Sequence, residues 1–336
     1  MKIVILDGWT TNPGDLSWEE LETLGELTVY DRTDHQNLAG IVERIGGAEA
    51  VLTNKTPLPR EVLDGCPTVK YIGVLATGYN VVDVPAAAER GITVTNIPSY
   101  GTEATAQHVF ALLLEATNRV GAFDRAVHRG DWQRSIDFTF QLDRPLIEIA
   151  GKTLGIFGFG RIGKTVGRIA RAFGMNVIAA SRSESEEGKA IAEYVPVDEL
   201  LARSDFISLN AALTPELVGF INRDRIAKMK DGVILINASR GPILNEGDVA
   251  DALNSGKIGC AAIDVVSIEP IAVGNPLLRA KNCLITPHVA WTPLETRKRL
   301  ISIAAENLRA FVAGAPIHTV RSEEHTSELQ SRSAIS

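Results

Sequence analysis

The chain has 336 residues, 45% hydrophobic and 22% charged, with a net charge of −7. That length supports about two hydrophobic cores, and an acidic balance with no clustered block of Lys and Arg disfavours a nucleic-acid surface. The first apolar run, 3–6, is too short for a signal peptide and no later stretch is long enough for a membrane span. Three scattered cysteines, Cys66, Cys260 and Cys283, form no CxxC pair, so the expectation is a cytoplasmic protein with reduced thiols, no metal site and a small-molecule partner.

Short β-like runs are expected at 3–6, 27–30, 50–53, 71–74 and 93–95, with helix-like runs at 17–24 and 38–45. Strands alternating with helical segments predict a parallel sheet covered on both faces, a first α/β domain. From 102 to 120 the pattern turns helical, with Val109, Leu112, Leu113 and Ala116 on one side, and predicts a long helix leading to a second domain. After it comes a polar and aromatic stretch, DWQRSIDFTFQLDRPLIEIAGK.

The alternation then resumes, with strands expected at 153–157, 176–180, 206–209, 233–237, 261–265 and 283–286. These runs are apolar without alternation, as parallel strands buried on both faces should be. A closing helix at 293–311 and a short strand at 317–320 are expected to return to the first domain. From Arg321 the string RSEEHTSELQSRSAIS is polar and aperiodic and looks like the translation of a sequencing-adapter oligonucleotide. Residues 321–336 are expected to be a non-native, disordered tail, and His325 is set aside with them.

Between the strand at 153–157 and a helix expected at 162–173 stands GFGRIG. Gly158 suits the tight strand-to-helix turn, Gly160 lets backbone approach a pyrophosphate, and Gly163 lets the helix pack closely on the sheet. Arg161 and Ile162 open the helix whose positive end would meet the phosphates. The motif lies mid-chain, so something else folds first.

Three polar residues stand near expected strand ends in the second half: Arg240 after VILINAS, Glu269 after AAIDVV and His288 after CLITP. In a doubly wound sheet ligands bind outside the carboxyl ends of the strands, so all three are expected at one crevice. A histidine can give or take one proton near neutral pH, a carboxylate bonded to it favours the protonated ring and fixes its orientation, and a guanidinium forks onto a carboxylate and an adjacent carbonyl oxygen. His35, His108, His128 and His318 are assigned solvated or structural roles.

The stretch NASRGPILNEGDVADALNSGKIGCAAIDVVSIEP followed by TPHVAW, together with LATGYNVVDVPAAAERGI and GFGRIG, resembles the D-isomer-specific 2-hydroxyacid dehydrogenases across nearly the whole chain before Arg321. The resemblance implies two Rossmann-like doubly wound domains: a substrate domain from 1–98 and 290–320, and an inserted dinucleotide-binding domain, 99–289, that also carries the contact of a homodimer. It implies His288 as proton donor, Glu269 as its partner and Arg240 as substrate anchor. The backbone around Ala76, Thr77 and Gly78 would receive the substrate carboxylate, and Asp264 the nicotinamide carboxamide. Thr105, Asn210, Thr214, Ala238 and Ser239 would line the cofactor with Arg240 and His288.

Three departures stand out. Where NAD-preferring relatives carry an acidic residue about twenty positions past the glycines, this chain has Ser181 and Arg182, which predicts NADP(H) preference with NAD(H) possible. An Arg182 facing solvent beside Glu184, Glu186 and Glu187 is the competing reading. Asn210 and Ala212 replace a histidine and a proline usual near the adenosine, and Gln107 stands where relatives often have glutamate.

Trp291, the LDGWT opening and LATGYNVVD look most like the hydroxypyruvate and glyoxylate reductase, or glycerate dehydrogenase, branch, with Trp132, Phe138 and Phe140 expected at the partner's pocket or in dimer packing. Glutamate at 269 argues against formate dehydrogenases, which have glutamine there, and the chain lacks the regulatory domain of many phosphoglycerate dehydrogenases. A D-lactate-type dehydrogenase and a non-catalytic, dinucleotide-sensing, corepressor-like dimer remain open.

Overall fold

The computed structural model describes residues 1–320; the expected tail, 321–336, lies outside the described residues. The chain divides into two compact units, Met1–Tyr100 joined by the chain from Thr292 onward, and Gly101–Trp291.

The first unit is built on five parallel strands, β1 (Lys2–Ile5), β2 (Glu26–Val29), β3 (Ala50–Thr53), β4 (Tyr71–Val74) and β5 (Thr93–Thr95), in the order β2-β1-β3-β4-β5. β3 and β4 are buried at every position, which is why their sequences are apolar without alternation. The strand order reverses direction between β1 and β3. Helices Leu38–Ile45 and Val84–Glu89 begin at Asn37 and Asp83, whose side chains accept from the Gly40 and Ala86 amides and satisfy otherwise orphaned first-turn donors. The helix expected at 17–24 is reduced to Glu19–Glu22, because Leu21 is its one buried residue and nothing apolar anchors a longer run.

The long helix Leu294–Val312 belongs to this unit. It buries Leu300, Ile301, Ala304, Ala305 and Leu308 and sets Phe311 against Tyr71 with ring centroids 4.9 Å apart. Arg297 forks onto Asp15 at 2.8 and 2.7 Å and reaches the Thr11 carbonyl, so the two chain ends are tied together. The strand expected at 317–320 is a single antiparallel bridge, Thr95 to Thr319.

The second unit carries seven parallel strands: β6 (Thr153–Phe157), β7 (Asn176–Ala180), β8 (Glu193–Tyr194), β9 (Phe206–Leu209), β10 (Val233–Asn237), β11 (Ile258–Ile263) and β12 (Cys283–Ile285). Their order, β12-β11-β10-β9-β6-β7-β8, is the doubly wound arrangement, with its switch point between β6 and β9. β8 escapes a reading of apolar runs because it is two residues long and only partly covered.

The helix expected at 102–120 stops at Asn118. Arg119 takes a left-handed conformation with φ 54°, and a second helix, Val120–His128, starts there with the Gly121 amide held by Glu115. The stretch that follows carries exposed Trp132, Ile136 and Phe138, the last two almost fully solvent-facing at 102% and 90%.

Candidate active site

Because every strand of the second sheet runs the same way, their carboxyl ends share one edge. That edge receives Gly158 after β6, Ser181 and Arg182 after β7, Asn210 after β9, Ala238, Ser239 and Arg240 after β10, Asp264 after β11 and the residues leading to His288 after β12.

The three glycines of GFGRIG do separate work. Gly158 has φ +89°, a conformation L side chains rarely adopt, and an added Cβ would stand 2.5 Å from the Ala211 amide nitrogen. A Cβ at Gly163 would meet the Gly158 carbonyl oxygen at 2.3 Å, so its absence lets the helix Arg161–Ala172 seat on the turn. Gly160 faces open space, with nothing within 4 Å of its ideal Cβ. A tight turn, a close helix and an open approach at the helix N-terminus are what a dinucleotide pyrophosphate needs.

His288 Nδ1 lies 2.6 Å from Glu269 Oε2, and both side chains are about a third exposed, at 28% and 32%. Glu269 is steadied through Oε1, which accepts from the Val266 amide. An ionised carboxylate only accepts, so Nδ1 carries the hydrogen of this bond and Nε2 is the ring nitrogen not engaged by Glu269.

The histidine's backbone is held in the left-handed region, φ 55°. Its amide donates to the Asp264 carbonyl at 2.7 Å, while the Val289 and Ala290 amides donate to Asp264 Oδ1 and Oδ2 at 2.8 and 2.9 Å. The Thr286 hydroxyl adds a fourth bond, to Oδ1, at 2.6 Å. Asp264 is buried, which pushes its carboxyl up, yet donors from His108, Thr286, Ala290 and Val289 outweigh that and hold it below the ordinary carboxylate range.

Arg240 sits on a turn folded by Asn237, a fully buried residue. The Asn237 side chain donates to the Arg240 carbonyl at 3.0 Å and accepts from the Ser239 amide and hydroxyl at 3.1 and 2.9 Å. One guanidinium nitrogen is spent on the Ser239 carbonyl, at 2.8 Å, which leaves most of the five-donor fork available. The next residue, Gly241, allows this turn to press on the loop after β11: a Cβ there would fall 1.9 Å from the Val266 carbonyl carbon.

Around the expected cofactor positions, Thr105 is buried in the first turn of the Thr102–Asn118 helix. The Asn210 amide bonds the Phe157 carbonyl, and its side chain turns back to the Ser208 hydroxyl and carbonyl. Thr214 precedes the short helix Pro215–Leu217. Ser181 and Arg182 are both exposed. The nearby glutamates are engaged elsewhere: Glu187 with Lys164 and Arg168, and Glu184 and Glu186 with Lys189. Among the described residues Arg182 forms no ion pair. Its charge acts at longer range on Glu216, whose carboxyl is lowered by its own backbone amide, then Thr214, and lastly Arg182.

In the first unit, the loop after β4 holds Ala76, Thr77 and Gly78. The Ala76 carbonyl accepts from the Ile97 amide, the Thr77 hydroxyl donates to the Ile97 carbonyl, and Asn96 donates to the Thr77 carbonyl. The Thr77 and Gly78 amides have no protein acceptor among the described residues.

Sequence reading missed a buried support beneath this loop. Asp7, at the end of β1, accepts from the Asn54, Lys55 and Thr56 amides at 2.8, 2.6 and 2.7 Å, and Asn54 in turn donates to the Leu75 carbonyl just before Ala76. A polar residue after each of two apolar strands was its only signal. For His108, read as solvated or structural, the structure gives the partners: its ring nitrogen meets Thr286 and Asp264.

A doubly wound parallel sheet with a dinucleotide turn and a histidine–carboxylate pair at its carboxyl edge defines a nicotinamide-dinucleotide-dependent oxidoreductase. The chain belongs to the D-isomer-specific 2-hydroxyacid dehydrogenases, whose NAD-binding domain matches residues 110–290. It is 54% identical over 322 residues to a hydroxypyruvate reductase of Blautia hydrogenotrophica, covering 95% of this chain and 99% of that one. It is 39% identical to a glycerate dehydrogenase of Methylorubrum extorquens, covering 83% and 88%. Among solved structures it is similar to a glyoxylate reductase from Paecilomyes thermophila, with a TM-score of 0.80, 31% identity and coverage of 95% and 98%. No described helix is long and apolar enough to cross a membrane.

Proposed function

We propose that the protein reduces hydroxypyruvate or glyoxylate to D-glycerate or glycolate, with NADPH preferred over NADH. The observation that carries this reading is the 2.6 Å pair of His288 Nδ1 and Glu269 Oε2 on the edge that also bears the glycine turn. The open face of Gly160 and the helix start at Arg161 and Ile162 fit a dinucleotide pyrophosphate, and the cofactor supplies the hydride that reaches C2 of the 2-oxo acid. His288 donates the proton from Nε2 to the carbonyl oxygen. Glu269 keeps the imidazolium oriented and its charge balanced. Arg240 offers donors that bind the developing alkoxide more strongly than the ground-state carbonyl, which is where rate enhancement arises.

We assign hydride and proton transfer to the second unit and recognition of the substrate carboxylate to the first, through the open Thr77 and Gly78 amides beside Ala76. Asp264 already holds four donors, Thr286, Val289 and His108 on Oδ1 and Ala290 on Oδ2, so at most one lone pair, on Oδ2, serves a carboxamide. NADPH preference rests on an Arg182 not consumed by any glutamate, beside Ser181. A homodimer is the reading of the exposed Ile136 and Phe138, with Trp132 nearby, and a cytoplasmic setting that of three free cysteines. The branch follows the 54% identity to a hydroxypyruvate reductase rather than a D-lactate-type reading. Measuring nicotinamide oxidation with hydroxypyruvate, glyoxylate and pyruvate tests it; preference for pyruvate overturns the substrate assignment.

A further inference from the structure

We propose that His108, on the Thr102–Asn118 helix, is a positioning residue for the reaction, acting through Thr286 and Asp264 on the segment that carries His288. The inference rests on the functional reading above. The segment 286–290 is wrapped around one residue: Asp264 takes the His288 amide on its backbone carbonyl and the Thr286 hydroxyl, Val289 amide and Ala290 amide on its carboxylate. These bonds hold the proton donor in its left-handed conformation, φ 55°, one that is uncommon for a residue other than glycine.

His108 completes the set from a different element. Its Nε2 lies 3.0 Å from Thr286 Oγ1 and 3.3 Å from Asp264 Oδ1. The Thr286 hydroxyl has a single hydrogen and spends it on Asp264 at 2.6 Å, so its oxygen can only accept from His108. Nε2 of His108 therefore carries hydrogen and donates, forked between the hydroxyl and the carboxylate. The Asp264 side chain has no exposed surface and that of His108 only 19%, so the buried carboxylate depends on protein donors. Losing this donor loosens the anchor under His288 without touching substrate or cofactor, and its cost falls on kcat rather than on KM.

The test compares His108→Phe, which fills the volume but cannot donate, with His108→Gln, whose amide restores an N–H; His108→Ala replaces the first should it not fold. Steady-state kinetics are read beside hydrogen exchange of peptides covering 284–292. We expect His108→Phe to lose about tenfold or more in kcat with KM within about twofold, and the His288, Val289 and Ala290 amides to exchange faster. His108→Gln should recover both. Wild-type kcat and exchange in His108→Phe, or equal losses in both variants, overturn the proposal. If the wild-type protein turns over no 2-oxo acid, the functional reading fails, while the exchange comparison still judges His108.

Discussion

Adding one methyl group at each of two neighbouring glycines separates folding from binding in the proposed cofactor turn. In Gly158→Ala the new Cβ falls 2.5 Å from the Ala211 nitrogen and 2.7 Å from Ala211 Cα and the Asn210 carbonyl carbon, and φ is +89°. All three neighbours are backbone, so no side chain can swing aside. The left-handed conformation costs ~1–2 kcal/mol, and forcing the turn after β6 away from the loop after β9 adds about 1–3 kcal/mol. A total near 3 kcal/mol lowers Tm by roughly 6–12 °C for a unit of this size. Gly160→Ala meets nothing within 4 Å and its φ is −78°, so Tm without cofactor should stay within about 2 °C, the ordinary range of a tolerated surface change. Its methyl instead fills the space the pyrophosphate would use, and NADPH affinity should fall about tenfold or more, roughly 1.4 kcal/mol. Scanning calorimetry reads the first effect and equilibrium fluorescence titration with NADPH the second. Gly158→Ala melting with the wild type, or Gly160→Ala binding NADPH as the wild type does, refutes the reasoning.

Arg182→Asp replaces an unpaired guanidinium by a carboxylate that repels a 2′-phosphate, so the NADPH-to-NADH ratio of kcat/KM should fall about 10–100-fold; an unchanged ratio sinks the NADP assignment. Asp264→Asn mimics the protonated acid. The folded-state carboxyl of Asp264 is lowered, so its contribution, about 2 kcal/mol, is present above its unfolded value near pH 4 and disappears as pH falls through the lower folded value. The Tm gap between wild type and Asp264→Asn should be constant from neutral pH down to about 5 and close below about 4; a gap that widens in acid contradicts this. Burial raises Cys66 and Cys260 to about 11 and Cys283 to about 12. All three thiols should therefore react slowly with a disulfide reagent at pH 8 in the folded protein and at ordinary rates in denaturant. Fast labelling of the native protein would show the burial to be wrong.

The sheets were legible chiefly through strands such as β3, β4, β9 and β10, which are buried at every position and leave runs such as VILIN that no helix face would carry. Where burial is partial the signal fades: β8 has two residues, and the Glu19–Glu22 helix has only Leu21 to mark it. The break at Arg119 carries no glycine or proline and was invisible to pattern. Strand-end position led to Arg240, Glu269 and His288, and the structure brings Glu269 and His288 into contact. The supporting residues were not legible. Asp7, Asn54 and His108 act through buried hydrogen bonds to residues far along the chain, Asp7 to 54–56 and His108 to Thr286, and no spacing in one sequence records such a partnership.

The central claim is that His288 protonates a short 2-oxo acid as it is reduced. Its most direct test follows nicotinamide absorbance for purified wild-type and His288→Asn proteins with hydroxypyruvate and glyoxylate, and assigns the configuration of the glycerate formed. The account predicts rapid oxidation of NADPH by the wild type, D-glycerate as the product, and a loss of about 100-fold or more in kcat for the variant, the usual scale of a lost general acid. No oxidation of NADPH or NADH with any short 2-oxo acid, or full activity without the imidazole, would contradict it and leave the dinucleotide-sensing reading in its place.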